Sequence, residues 1–183
     1  FVFTSLAFGQ VNIEKFRKPM DGKSFSGFVN VEGVNRTGNV DVTEVELESN
    51  IRFSYKNYYS FVILHGDQGW ESGEQYSDEA LAHFRQIFNT RSRLQPELFV
   101  QADYNKKRLL DSRMLAGAGV RFRLAQKPKY AFWYGLAAMY ELEKLNLDTE
   151  NSHADETSVG RLSSYLTTMI SLNENSQLNW TIY

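Results

Sequence analysis

The chain carries three histidines, His65, His83 and His153, the natural starting point for a general base or a metal ligand. No two stand at H-x-x-x-H spacing and no H-E-x-x-H run occurs, so a helix-borne zinc site is not encoded. There is no cysteine. That removes disulfides, thiolate metal ligands and a cysteine nucleophile. His153 lies in the acidic run NSHADE and reads as solvated. His83 and Arg85 share a face if the chain is a strand there, and read as a packed polar pair rather than a general base. Serines are numerous, but no Ser–His–acid order singles one out. The glycines form neither a P-loop nor a dinucleotide fingerprint, and Gly117 and Gly119 read as space for neighbouring arginines. Residues 148–156 (DTENSHADE) lack EF-hand spacing. The expectation is a chain with no catalytic residues, no metal and no cofactor.

What remains is charge in a regular pattern. Apolar and polar residues alternate with period two over most of the chain, the mark of strands. Across residues 44–56, Val45, Leu47, Ile51, Phe53 and Tyr55 take one parity, while Glu44, Glu46, Glu48, Asn50, Arg52, Ser54 and Lys56 take the other. A helix would spread these apolar residues around its axis; a strand puts them on one face. Residues 93–104, 113–124 and 130–143 repeat the pattern, with weaker strands at 24–34, 57–66, 159–171 and 177–183. Residues 79–88 (EALAHFRQIF) show Leu81, Phe84, Ile87 and Phe88 at helical spacing behind Ser77 and Asp78, but they alternate as well. The strands on either side decide for a strand.

Composition bounds the class. The chain has 183 residues, enough for one domain or two small ones, and is 42% hydrophobic and 23% charged, too apolar for disorder. No apolar run reaches the roughly 18 residues of a spanning helix, and the mean hydropathy is -0.43. A net charge of -2 gives no electrostatic case for nucleic acid. Aromatics reach 14%, from 10 Tyr, 13 Phe and 3 Trp, and their placement needs an explanation.

The alternating runs are about 10 to 14 residues long, beyond the usual five or six of a soluble sheet. They match a tilted strand with about 9 to 11 residues in the apolar band of a bilayer. Short connections at 55–58, 89–93, 125–129 and 173–176 alternate with longer ones at 67–75, 105–112 and 146–158. The first loop, 35–39, is the exception. Short turns at one end and longer loops at the other suit an outer-membrane barrel. The aromatics Phe53, Tyr55, Tyr58, Tyr59, Phe84, Phe88, Tyr130, Phe132, Trp133 and Tyr134 gather near the short turns, where an interfacial girdle would sit.

A membrane barrel turns its apolar parity to lipid and its polar parity inward. The inward set would be Glu44, Glu46, Glu48, Arg52, His83, Arg85, Glu97, Gln101, Asp103, Arg113, Arg121, Arg123, Glu141, Glu143 and Arg161. Unpaired charge away from bulk water is costly, so these are expected to pair into a Glu–Arg lattice with a structural role.

The ends fit export. Residues 1–9 (FVFTSLAFG) read as the remnant of a signal peptide, with Ala7 and Gly9 at the positions before a cleavage site, and residues 10–23 as a periplasmic segment. Residues 24–183 form the barrel domain. About nine strands are counted, whereas bacterial barrels have an even number. The expectation is therefore a C-terminally incomplete barrel of ten to twelve strands, its edge otherwise unpaired in lipid.

The runs His83-Phe-Arg85, Glu97-Leu-Phe99-Val-Gln101 and Arg113-Met-Leu-Ala-Gly117-Ala-Gly119-Val-Arg121 resemble the salt-stress-induced outer-membrane protein family. Val29-Asn-Val-Glu-Gly33 with Arg36-Thr-Gly38-Asn39, and Gly160-Arg161-Leu162-Ser163 through residues 178–183, are similar to its first turn and later strands. The resemblance implies an outer-membrane β-barrel domain with no assigned activity, and a link to salt or osmotic stress. The expectation is an all-β, antiparallel up-and-down transmembrane barrel in the bacterial outer membrane, non-enzymatic, pore-like or envelope-structural. Its partners would be outer-membrane lipid and the barrel-assembly machinery, with no nucleic acid. The alternatives are a lipid-modifying outer-membrane enzyme, or a soluble periplasmic lipocalin-like barrel around an apolar ligand.

Overall fold

The computed structural model of the protein describes residue 17 and residues 24–147, 155–173 and 176–182. The expectations for residues 1–9, for most of 10–23, for Tyr183 and for the middle of the 146–158 loop lie outside the described residues.

Nine strands follow one another: β1 (Phe25–Arg36), β2 (Val42–Tyr55), β3 (Tyr58–Glu71), β4 (Glu74–Ile87), β5 (Leu94–Asn105), β6 (Leu110–Lys127), β7 (Tyr130–Leu145), β8 (Glu156–Asn173) and β9 (Ser176–Ile182). Each pairs antiparallel with the next, giving one up-and-down sheet in the order β1 to β9. The fold is all-β, and the segment 79–88 lies within β4. β1 and β9 form the two edges, and among the described residues no ladder joins them.

The connections depart from the expected alternation. The loop expected at 67–75 is mostly strand: Asp67 pairs with Glu79 and Gln68 with Asp78, and only Ser72 and Gly73 remain between β3 and β4. Both take positive φ, 49° and 89°, which is what a tight two-residue hairpin requires and what Gly73 adopts without steric cost. Between β5 and β6 a short 3-10 turn, Lys106–Arg108, is closed by Leu109 in the left-handed region at φ 53°. The Asn105 side chain accepts from the Arg108 amide there at 3.0 Å. Conversely the β4–β5 connection, residues 88–93, is longer than the turn at 72–73. Length at the loop end is taken up by the strands themselves: β6 and β8 each run 18 residues.

The two faces of the sheet differ sharply. Residues directly opposite in an antiparallel ladder share a face. Arg52, Phe61, Arg85, Phe99, Gly117, Met139 and Arg161 thus form one row of a single face. That face is the buried one. Its apolar core is small: Tyr59, Phe61, Ile63 and Ile87, with Leu81 against them, and a second cluster of Phe99, Ala137 and Met139, with Leu115. Gly117 and Gly135 beneath are spaces for rings, and Gly119 makes way for Ala137 and the Leu136 carbonyl, none of them for an arginine. A Cβ on Gly117 would meet the Phe99 ring, and one on Gly135 the Tyr165 ring. At Gly119 it would meet Ala137 at 2.8 Å.

Candidate functional site: the charged inner face

All fifteen residues expected to point inward lie on the buried face, by the register of the ladders. His83, Arg85, Glu97, Gln101, Arg113, Arg121 and Glu141 are fully buried. Period-two alternation brings them there: each has at least one outward apolar neighbour, such as Phe84 beside Arg85 and Met114 beside Arg113, that holds the strand's orientation.

Three of the expected ion pairs form between neighbouring strands. Arg85 Nη1 donates to Glu97 Oε1 at 3.1 Å. Arg113 makes a two-pronged contact with Asp103, Nε to Oδ1 at 3.1 Å and Nη2 to Oδ2 at 2.8 Å. Arg161 Nη2 reaches Glu141 Oε1 at 2.8 Å. Gln101 bridges Asp103, to which it donates at 3.0 Å, and His83 Nδ1 at 3.2 Å. Arg52 donates to Ser26 at 2.9 Å, and Glu44 accepts from the Tyr76 hydroxyl. Arg123 donates to Gln126 at 2.7 Å and caps the carbonyls of Arg91 and Ser92 at 2.7 and 2.8 Å.

The charges are not mixed evenly, as a lattice would have them. Glu32, Glu44, Glu46, Glu48, Asp67, Glu79, Asp103, Glu141 and Glu143 occupy the rows toward the 72–73 turn, with Arg113 and, at the edge of β1, Arg36 among them, and Arg108 at the cavity they line. Arg52, Arg85, Arg121, Arg123 and Arg161 occupy the rows toward the opposite end, with Glu97 as the carboxylate among them. A cavity of about 410 Å³ opens in the acidic half, bounded by Glu46, Glu48, His65, Glu79, Asp103 and Arg113. Between the halves runs an apolar and aromatic waist. Its centre is the His83 ring, stacked between Phe61 (centroids 5.9 Å apart) and Phe99 (6.3 Å).

Rings on this face were the residues that nearness to the short turns misplaced. Tyr59 and Trp133, expected in the lipid girdle, stand on the charged face. Tyr59 is 9% exposed and packs on Phe61. Trp133 lies under the Arg121 guanidinium, whose Cζ is 4.2 Å from the ring centroid, and the Arg123 Cζ is 5.6 Å from it. Parity held the signal in both cases: Trp133 pairs with Arg123, and Tyr59 shares the odd parity of Phe61 and Ile63. Phe53, Tyr55, Tyr58, Phe84, Tyr130 and Tyr134 are exposed on the outer side, with Phe88 edge-on to Tyr58 and Phe132 on Tyr130.

The outer side is apolar. Met114, Leu124, Leu136, Tyr140, Leu142, Leu162 and Trp180 are all more than two-fifths exposed, Leu162 at 83%. Among the described residues no group of three His, Cys, Asp or Glu is placed to hold a metal ion. His83 Nδ1 faces the amide oxygen of Gln101 and its ring is clamped, an arrangement suited to packing. No family model, curated protein or solved structure matches the chain.

Proposed function

We propose that this chain is the membrane-embedded β-barrel domain of a bacterial outer-membrane protein, without enzymatic activity, acting as a narrow pore or a structural element of the envelope. One observation carries the reading: the sheet buries its charged face and exposes its apolar face. In water that arrangement is doubly unfavourable, because it hydrates apolar surface and desolvates carboxylates and guanidiniums. Lipid outside and a polar interior remove both costs. On β6 the consecutive outward residues Met114, Ala116, Ala118, Val120, Phe122 and Leu124 are all apolar. At about 3.3 Å per residue and a tilt of about 45°, they span a band of about 23 Å, close to the roughly 25 Å of outer-membrane barrels.

Closure would come from strands or partners beyond β1 and β9, since an open edge is not viable in hydrocarbon. The resemblance to the salt-stress-induced outer-membrane family enters at this level and supplies the setting, an envelope under salt or osmotic load. Lipid and the barrel-assembly machinery are the partners this reading requires. A lipocalin-like carrier would line its interior with apolar side chains, and arginine and glutamate dominate here. If the barrel conducts, its acidic mouth draws cations and its waist resists the passage of water and ions.

The test is extraction and migration. The protein should stay with membranes through alkaline carbonate, dissolve in detergent, and run on gels at two positions depending on heating. Release by carbonate, with a single gel position, would sink the membrane reading.

A further inference from the structure

The β2–β3, β4–β5 and β6–β7 turns share one end of the sheet and carry exposed cations with no exposed carboxylate. Lys56 stands in the first, Arg91 and Arg93 in the second, and Lys127 and Lys129 at the third. The fourth turn of this end, residues 174–175, lies outside the described residues. Among the described residues none of the five cations forms an ion pair. Glu97 is the one carboxylate described at this end, and its side chain is 2% exposed on the inner face. The opposite end mixes its signs. There Lys144 lies 3.9 Å from Asp111, and Glu71, Glu74 and Glu156 are exposed as Lys106 and Lys107 are.

The five cations stand just beyond the outer rings. The Lys56 ammonium lies over the Tyr55 ring, 5.1 Å from its centroid, and Tyr55 is 67% exposed on the outer side. Phe88 packs edge-on to Tyr58 at 5.9 Å, three residues before Arg91. Tyr130, next to Lys129, packs on Phe132 at 5.5 Å. Rings of this kind settle at the boundary between hydrocarbon and headgroups, and a cation one step farther out reaches the phosphates. Neighbouring turns are two strands apart, about 10 Å along the sheet, and the outer two about 19 Å. A charge-assisted bond reaches about 2.7–2.9 Å, so no single phosphate serves all five, whereas a plane of headgroups does. We infer that Lys56, Arg91, Arg93, Lys127 and Lys129 form a collar that binds the phosphates of an anionic phospholipid leaflet and sets this end of the sheet at headgroup level. The inference rests on the membrane reading of the sheet.

Lipid selectivity tests it. The protein is folded into vesicles of equal parts phosphatidylcholine and phosphatidylglycerol, with a trace of either lipid spin-labelled on its acyl chain to report how much of each is immobilised. At low ionic strength phosphatidylglycerol should be held about threefold or more over phosphatidylcholine, and the preference should fade as salt is raised. Changing all five cations to glutamine should make the two lipids equal, while Lys106→Gln, Lys107→Gln and Lys144→Gln together should leave the preference in place. The salt response of the parent chain gives an answer even where the fivefold variant fails to fold. Equal retention of the two lipids by the parent, or a preference that survives the five changes, would overturn the collar. Loss of the preference in inorganic phosphate, but not in chloride of the same ionic strength, would assign the cations to a free anion and overturn it too. Immobilised lipid without a preference removes the collar and keeps the membrane reading; no immobilised lipid removes the membrane reading itself.

Discussion

The Tyr165 hydroxyl on β8 donates to Glu97 on β5, 3.4 Å away, with two strands lying between them. In a flat sheet three strand spacings amount to about 14 Å. Side chains standing perpendicular to that surface would not meet. The contact exists because the sheet curls around its charged face, and because Gly135 leaves the Tyr165 ring room to lie down. Tyr165→Phe should cost about 1.5–3 kcal/mol, the usual range for a hydrogen bond to a charged group. Gly135→Val should cost more, since its side chain collides with the ring. Urea titration of the protein refolded in detergent measures both, and a Gly135→Val protein as stable as the parent would refute the ring's placement.

The outward position of Leu136, 44% exposed at mid-strand in β7, gives the sharpest test of the surroundings. In water, Leu136→Arg on an exposed surface should change stability by no more than about 0.5 kcal/mol. Facing the midplane of a bilayer, it should cost about 2–4 kcal/mol. Folding equilibria in lipid vesicles separate the two outcomes.

Trp133 and Trp180 stand on opposite faces. Trp133 is under Arg121 on the inner face, while Trp180 is 61% exposed on the outer one. In proteins that each retain one tryptophan, brominated lipid should quench Trp180 strongly and Trp133 little. Equal quenching would mean that Trp133 reaches lipid and that its stacking on arginine is wrong.

The Arg113–Asp103 pair has side chains 5% and 8% exposed. Breaking a buried pair by removing one partner is costly because it strands the other charge, so Arg113→Gln should lose about 3–5 kcal/mol. Adding Asp103→Asn should recover much of that. A double-mutant cycle in urea gives the coupling directly, and an additive cycle would show that the two-pronged contact contributes nothing.

Alternation located the strands because one parity of each is mostly apolar; from Met114 to Leu124 it is unbroken, and from Glu44 to Arg52 only Ser49 interrupts it. It grouped all fifteen residues of the inward set on one face for the same reason. It misjudged 67–75 because Asp67, Gln68 and Glu71 looked like loop, whereas polar residues extend a strand readily once it leaves the apolar band; the Ser72-Gly73 pair was the turn signal. It also assigned rings to lipid on proximity to turns. Tyr59 and Trp133 stack on inward neighbours instead, so for them parity outweighs position. The division into acidic and basic halves was not readable strand by strand, because it depends on which residues the ladder sets side by side.

The rings seated on glycines bear on how this sheet finds its alignment during assembly. A slide of two residues between neighbouring strands keeps every side chain on its own face, so polarity alone cannot reject it. Such a slide would move Tyr165 from Gly135 onto Trp133 or Ala137, where no hollow waits for the ring. The Gly135–Tyr165 seat is thus a mechanical key between β7 and β8 that rejects the error polarity would let pass.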